Sequence, residues 1–110
     1  MQEKKTTTAL TPETVIQRSP NQHAAEIYGE IIALNHENHN YYGITGIGVD
    51  IWNAIEKPQS MAALYEQLHR EYDVDEERLL HDLYQFIREL AANGMIVTLS
   101  PDQQQVEENT

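Results

Sequence analysis

Cysteine is absent from this chain of 110 residues. Disulfides, thiol catalysis and thiolate metal sites are excluded with it. Basic residues are scarce: 7 Lys and Arg stand against 18 Asp and Glu, for a formal net charge of −11. A duplex-binding surface needs Lys and Arg to neutralise phosphates, and a field of this sign repels phosphate and anionic membrane surfaces alike. No apolar run approaches the roughly 18 residues of a membrane span, and the first residues lack the hydrophobic segment of a signal peptide. The composition predicts a soluble cytoplasmic protein with neither a nucleic-acid nor a membrane partner.

Catalytic constellations are also missing. Ser19, Ser60 and Ser100 lie beside prolines or at a helix start, without a nucleophile elbow. Gly43, Gly46 and Gly48 form no Walker or dinucleotide fingerprint. The acids at 75–77 and 107–108 read as a helix start and a tail, not as a spaced acid/base pair. His36 and His39, near Glu37, would need a third ligand and a defined geometry to hold a metal, and a solvated hairpin loop explains them more simply. His69 and His81 sit singly on helices. No catalytic residue, cofactor or metal site is expected, and binding remains.

What is present is one domain's worth of patterned sequence. A polar, Thr-rich tail at 1–11 and an acidic tail at 101–110, both expected to be flexible, flank a domain at 12–100. Residues 14–18 have the β-branched content of a short strand, closed by Ser19-Pro20-Asn21. Residues 23–28 extend a little further, and Gly29 marks a turn or bulge. A second strand at 30–34 and a third at 41–45 flank the polar loop 35–40, as in a hairpin meander. From Gly46 the period turns helical, with Ile47, Ile51 and Ile55 at i, i+4 spacing and Trp52 beside them, until Pro58 disfavours continuation. Ser60 caps a second helix bearing Met61, Leu64, Tyr65 and Leu68. Asp73 or Asp75 caps a third, with Glu76 and Glu77 in its favourable first turn, and Gly94 stops it before a short strand at 95–99. The expected class is α+β: a three-stranded antiparallel sheet, three helices and a short C-terminal strand, arranged like a winged helix-turn-helix.

Two features bear on binding. The third helix carries Leu79, Leu83, Phe86 and Leu90 in one stripe and Leu80, Tyr84 and Ile87 in an adjacent one. Either it is a central helix packed on two sides, or one side lines a groove for a partner; both can hold. The strand 41–45 is the other feature. If it is a sheet edge, its free backbone groups are a template for an extended peptide, whose alternate side chains would meet the third helix. Tyr42 and Ile44 share one face and Tyr41 takes the other, but the two-residue period leaves open which face meets the helix.

Residues 14–99 resemble the PqqD-like domains, also called RiPP precursor peptide recognition elements (RiPP denotes ribosomally synthesised, post-translationally modified peptides). The resemblance rests on the order and spacing of Tyr41-Tyr42-Gly43-Ile44, Gly48-x-x-Ile51-Trp52, Met61-x-x-Leu64, Tyr72-Asp73-Val74-Asp75, Asp82-Leu83-x-x-Phe86-Ile87-x-x-Leu90 and Asn93-Gly94-Met95-Ile96. The Tyr-Tyr hairpin with Gly-x-x-Ile-Trp is most similar to the stand-alone recognition proteins of lasso peptide clusters. Many relatives have Leu-Asn where this chain has Ile44-Thr45.

The resemblance implies a winged helix-turn-helix-like fold and a non-enzymatic role. A precursor's leader peptide would bind as an added strand in the cleft between the third strand and the third helix. The protein would present it to a leader peptidase or other modifying enzyme. By motif position the peptide-binding residues would be Tyr41, Tyr42 and Ile44 from the strand, with Leu79, Asp82, Leu83, Tyr84 and Phe86 from the helix. Ile51 and Trp52 match core positions. The alternatives are a peptide chaperone of pyrroloquinoline quinone (PQQ) biosynthesis and a winged-helix DNA-binding regulator. The regulator would have to read bases with Arg78, Gln85 and Arg88 set among acids. An exposed edge strand also pairs with its own kind, so a homodimer is a further expectation.

Overall fold

The computed structural model describes residues 10–100, so residues 1–9 of the tail expected at 1–11, and all of the tail expected at 101–110, lie outside the described residues. Leu10, assigned to a tail by its polar surroundings, packs against the core. Thr11 joins the turn that follows, its backbone amide donating to the Thr14 hydroxyl at 2.9 Å.

The chain order is β1 (Val15–Arg18), β2 (Gln22–Ile27), β3 (Glu30–Asn35), β4 (Tyr41–Ile44), α1 (Ile47–Ala54), β5 (Gln59–Ser60), α2 (Met61–Glu71), α3 (Glu76–Ala92) and β6 (Ile96–Leu99). The fold is α+β and winged helix-turn-helix-like, with two three-stranded antiparallel sheets ordered β5-β1-β6 and β2-β3-β4. Among the described residues no helix is long and apolar enough to cross a membrane.

The first strand departs from expectation. It leaves the meander and pairs instead with β6, Val15 opposite Leu99 and Arg18 opposite Ile96, and with β5 on its other side. The break at Ser19-Pro20-Asn21 lets the chain change sheets. Gln22–Ile27 takes the vacant place, pairing along its whole length with β3. Local preference hides this strand, because His23, Ala24, Ala25 and Glu26 are weak strand formers held by a neighbour rather than by themselves. Its hairpin turns on Tyr28 and Gly29, both with positive φ (52° and 81°), the conformation of a two-residue type I′ turn.

The helices follow their signals. The Ser60 hydroxyl accepts from the Ala63 amide at 3.1 Å, and an Asp75 carboxylate oxygen accepts from the Arg78 amide at 3.1 Å. Gly94, with φ +76°, ends the turn after α3. The core lies between the sheets and helices, with Ile16, Ile31, Ile44, Trp52, Leu64 and Ile87 all buried. Helix α3 buries Leu79, Leu83, Ile87 and Leu90. Ile87, from the adjacent stripe, is thus a core residue, and Phe86 is left half-buried at the helix flank. Arg18 ties β1 to α1, its guanidinium 4.5 Å from the Trp52 ring centroid and donating to the Trp52 carbonyl at 2.6 Å.

One polar side chain is buried where the sheet meets the end of α3. Asn35 donates through Nδ2 to the Gly94 carbonyl at 2.6 Å. Its Oδ1 accepts from the amides of Glu37 at 2.8 Å and Asn38 at 3.1 Å. Asn35 thus shapes the β3–β4 loop and anchors it to the α3–β6 turn, which fixes β4 relative to α3.

Candidate peptide-binding groove

Strand β4 is an edge. It pairs with β3 through Ile31–Ile44, Ile32–Gly43, Ala33–Tyr42 and Leu34–Tyr41, and no strand lies on its other side among the described residues. The Asn35 amide donates to the Asn40 carbonyl at 3.0 Å. Antiparallel pairs alternate, so counting from there Ala33–Tyr42 and Ile31–Ile44 are the mutually bonded pairs. The backbone N–H and C=O groups of Tyr41 and Gly43 then point away from β3, toward the open side.

Beside this edge lies a groove of about 230 Å³. Tyr42, Gly43, Ile44 and Thr45 form one wall, Leu79, Asp82, Leu83 and Phe86 of α3 the other, and Ile47, Gly48, Ile51 and Leu68 complete it. Ile44 and Ile51 belong to the core, so the floor is continuous with the hydrophobic interior. Gly48 permits the close approach of its neighbours: a Cβ there would sit 3.0 Å from Ile44 Cγ2 and 3.1 Å from Phe86 Cζ.

Polar groups lie at the rim. The Tyr42 hydroxyl donates to a Glu89 carboxylate oxygen, and the Tyr42 and Phe86 ring centroids are 6.4 Å apart. Burial pushes the Tyr42 hydroxyl up to about 12, and the Glu89 hydrogen bond and charge push in the same direction. Tyr42 is therefore neutral at physiological pH and bridges the edge strand to α3. The Tyr72 hydroxyl donates to Asp50, a bond that, ahead of burial and nearby acidic charge, raises its pKa. That contact joins α1 to the end of α2. Asp82 is exposed, with Arg78 at 3.9 Å one turn earlier.

The residues singled out from the sequence divide between two surfaces. Tyr42, Ile44, Leu79, Asp82, Leu83 and Phe86 line the groove together. Tyr41 stands on the opposite face of β4 at 72 % exposure, which leaves only its backbone for the open edge. Tyr84 lines a separate groove on another side of α3, with Tyr65 and Leu80. Thr45, Ile47, Gly48, Ile51 and Leu68 also line the first groove, although the sequence reading did not place them there. Ile51 serves both as core and as groove floor. A glycine inside an otherwise apolar helical turn was the available signal for Gly48.

The histidines arrange differently from their spacing. The His36 ring meets His23 edge-to-face, with centroids 4.3 Å apart, rather than His39. Among the described residues no group of three or more His, Cys, Asp or Glu side chains is placed to hold a metal ion.

The likeness to known proteins falls on the elements that build the groove. A solved structure described as TbiB1 in complex with the TbiA(beta) leader peptide superposes with a TM-score of 0.68 at 26 % identity, covering 73 % of this chain and 93 % of that one. Among curated proteins none matches the chain. The family model for coenzyme PQQ synthesis protein D (PqqD) matches residues 30–96, from the start of β3 to the start of β6. With more than half of its length matched, the edge strand and all three helices included, this chain belongs to the PqqD family as a PqqD-like recognition domain.

Proposed function

We propose that this protein binds the leader segment of a ribosomally synthesised precursor peptide as an added strand along β4. The observation that carries this reading is the open β4 edge lying directly beside an apolar groove, in a chain of the fold of TbiB1, itself solved with a leader peptide. The peptide backbone pairs with the outward groups of Tyr41 and Gly43. Alternate peptide side chains, spaced by the two-residue period, drop between Tyr42, Ile44, Leu79, Leu83 and Phe86. Main-chain bonding supplies sequence-tolerant affinity, and the pockets supply selectivity.

In the fuller form of this proposal the protein is not an enzyme and acts in the cytoplasm. It hands the bound precursor to a leader peptidase or other modifying enzyme of lasso peptide type. Calorimetric titration with the leader of the precursor encoded beside it tests the proposal: saturable binding supports it, and a folded protein that does not bind at tens of micromolar contradicts it. The family description favours a second reading, a peptide chaperone of PQQ biosynthesis. Both use the same groove and differ in the precursor, so the neighbouring genes separate them. Light scattering with and without peptide tests the homodimer, since a peptide on β4 would compete with self-pairing of that edge.

A further inference from the structure

Helix α3 has a second concave side. Across it from the β4 groove, α2 and α3 enclose a groove of about 320 Å³ lined by Pro12, Met61, Ala62, Tyr65, Glu66, Glu76, Leu80 and Tyr84. Met61 is a buried floor residue, whereas Leu80 remains 39 % exposed although it is a large apolar side chain on a helix with a well-filled core. Leu80 and Tyr84 are the part of the adjacent apolar stripe of α3 that the core does not fully bury, Ile87 having gone into it. The charged groups of the lining are both acids, Glu66 and Glu76, and no Lys or Arg is among the lining residues. The Tyr65 hydroxyl feels the charges of Glu76 and Asp75, which reinforce the effect of burial in raising its pKa. Glu76 also faces the His69 ring nitrogen at 3.7 Å, and His69 stacks on Tyr65 with ring centroids 5.4 Å apart. Arg88 lies over the Tyr84 ring, 5.8 Å from its centroid, so this aromatic face already attracts a guanidinium.

We propose that this α2–α3 groove is a second docking site, for a basic segment of a partner protein that sets Lys or Arg beside a large apolar side chain. The charge and the shape of the lining choose that occupant together. Acids at the rim attract cations, and the Met61–Leu80 surface gains from covering by an apolar neighbour. Because the two grooves open on different sides of α3, a partner can hold the protein here while the β4 groove stays free. The inference does not depend on the peptide reading of the β4 groove, because its lining residues are not shared with that groove.

The test is an NMR titration of the labelled full chain with a short amidated peptide of lysine and leucine, and with its glutamate–leucine counterpart. Saturable shifts confined to Ala62, Tyr65, Glu66, Leu80 and Tyr84, from the lysine peptide alone, are expected. The E66Q/E76Q double variant should weaken that binding by about tenfold, and Leu80→Ser should weaken it at unchanged ionic strength, each in a chain whose melting curve shows it folded at the titration temperature. Shifts scattered over the acidic surface, or binding indifferent to Leu80→Ser, would mean general attraction to a chain of net charge −11 and overturn the proposal. Groove shifts produced by Lys4→Ser and Lys5→Ser without added peptide would overturn it too, by assigning the groove to the chain's own N-terminal lysines. Repeating the titration with leader peptide present separates the two sites, since resonances at Tyr42 and Gly43 report the other groove alone.

Discussion

Tyr42 couples the edge strand to α3 through one hydroxyl, and two predictions follow from it. Tyr42→Phe keeps the ring against Phe86 and removes the bond to Glu89, so it should cost at most about 1 kcal/mol of stability. Its ionisation adds a pH signature. The folded chain holds this proton up to about 12, above the ordinary tyrosine value of 10.0, so the unfolded chain releases it first. The contribution is complete below the unfolded value and is lost as pH rises from there toward 12. Ultraviolet titration of tyrosinate should lose this late component in Tyr42→Phe. Gly48→Ala separates groove from fold. The added methyl gains at most about 1 kcal/mol of helix propensity but pushes on Ile44 and on half-buried Phe86, both of which line the groove. Leader affinity should therefore fall more than the melting temperature does. At this scale the two-residue period was legible: it put Tyr42 with Ile44 and Tyr41 opposite. Which face met α3 was not legible, because that depends on how β3 seats the edge strand on the core through Ile31 and Ala33, a tertiary choice.

At the scale of elements, Asn35 and Gly94 form the joint that holds the β3–β4 hairpin against the end of α3. Asn35→Ala removes the partner of the half-buried Gly94 carbonyl and of two loop amides and should cost about 1–2 kcal/mol. Gly94→Ala forces a positive φ on a residue with a side chain, at about 1–2 kcal/mol, and places its Cβ 2.6 Å from Asn35 Nδ2. Chemical denaturation of the double variant should give less than the sum of the singles, because removing the Asn35 amide relieves that contact. Helices α2 and α3 were readable end to end, since Ser60, Asp75 and Gly94 are local signals acting on local backbone. The strands were readable less well. β1 looked like the first strand of a meander because its β-branched residues say that it is a strand but not with which partner. β2 shows in the sequence only as a short extension at 23–28, because Ala24, Ala25 and Glu26 carry no preference for the conformation their register imposes.

For the whole molecule, the acidic surface and the two-sided α3 define what can approach. A winged-helix regulator would present α3 to a DNA groove. Here that helix is flanked by two grooves and bears Glu76, Glu77, Asp82 and Glu89, so a low-salt gel shift should show no retention of duplex DNA. The groove residues come from β4, α1, α2 and α3, and their assembly was only partly foreseeable. Motif order pointed to the strand and to α3. Leu68 and Ile51 became lining residues through packing between helices, for which the sequence holds no local mark. Tyr84, neighbour in sequence to the groove residue Leu83, was carried by the helical turn to the other side. The central claim is strand addition at β4, and site-resolved amide hydrogen exchange with saturating leader peptide tests it most directly. The Tyr41 and Gly43 amides, which face away from β3, should become strongly protected while those of Tyr42 and Ile44, already bonded to β3, change little. Leader binding that leaves Tyr41 and Gly43 exchanging at their free rates would contradict the account.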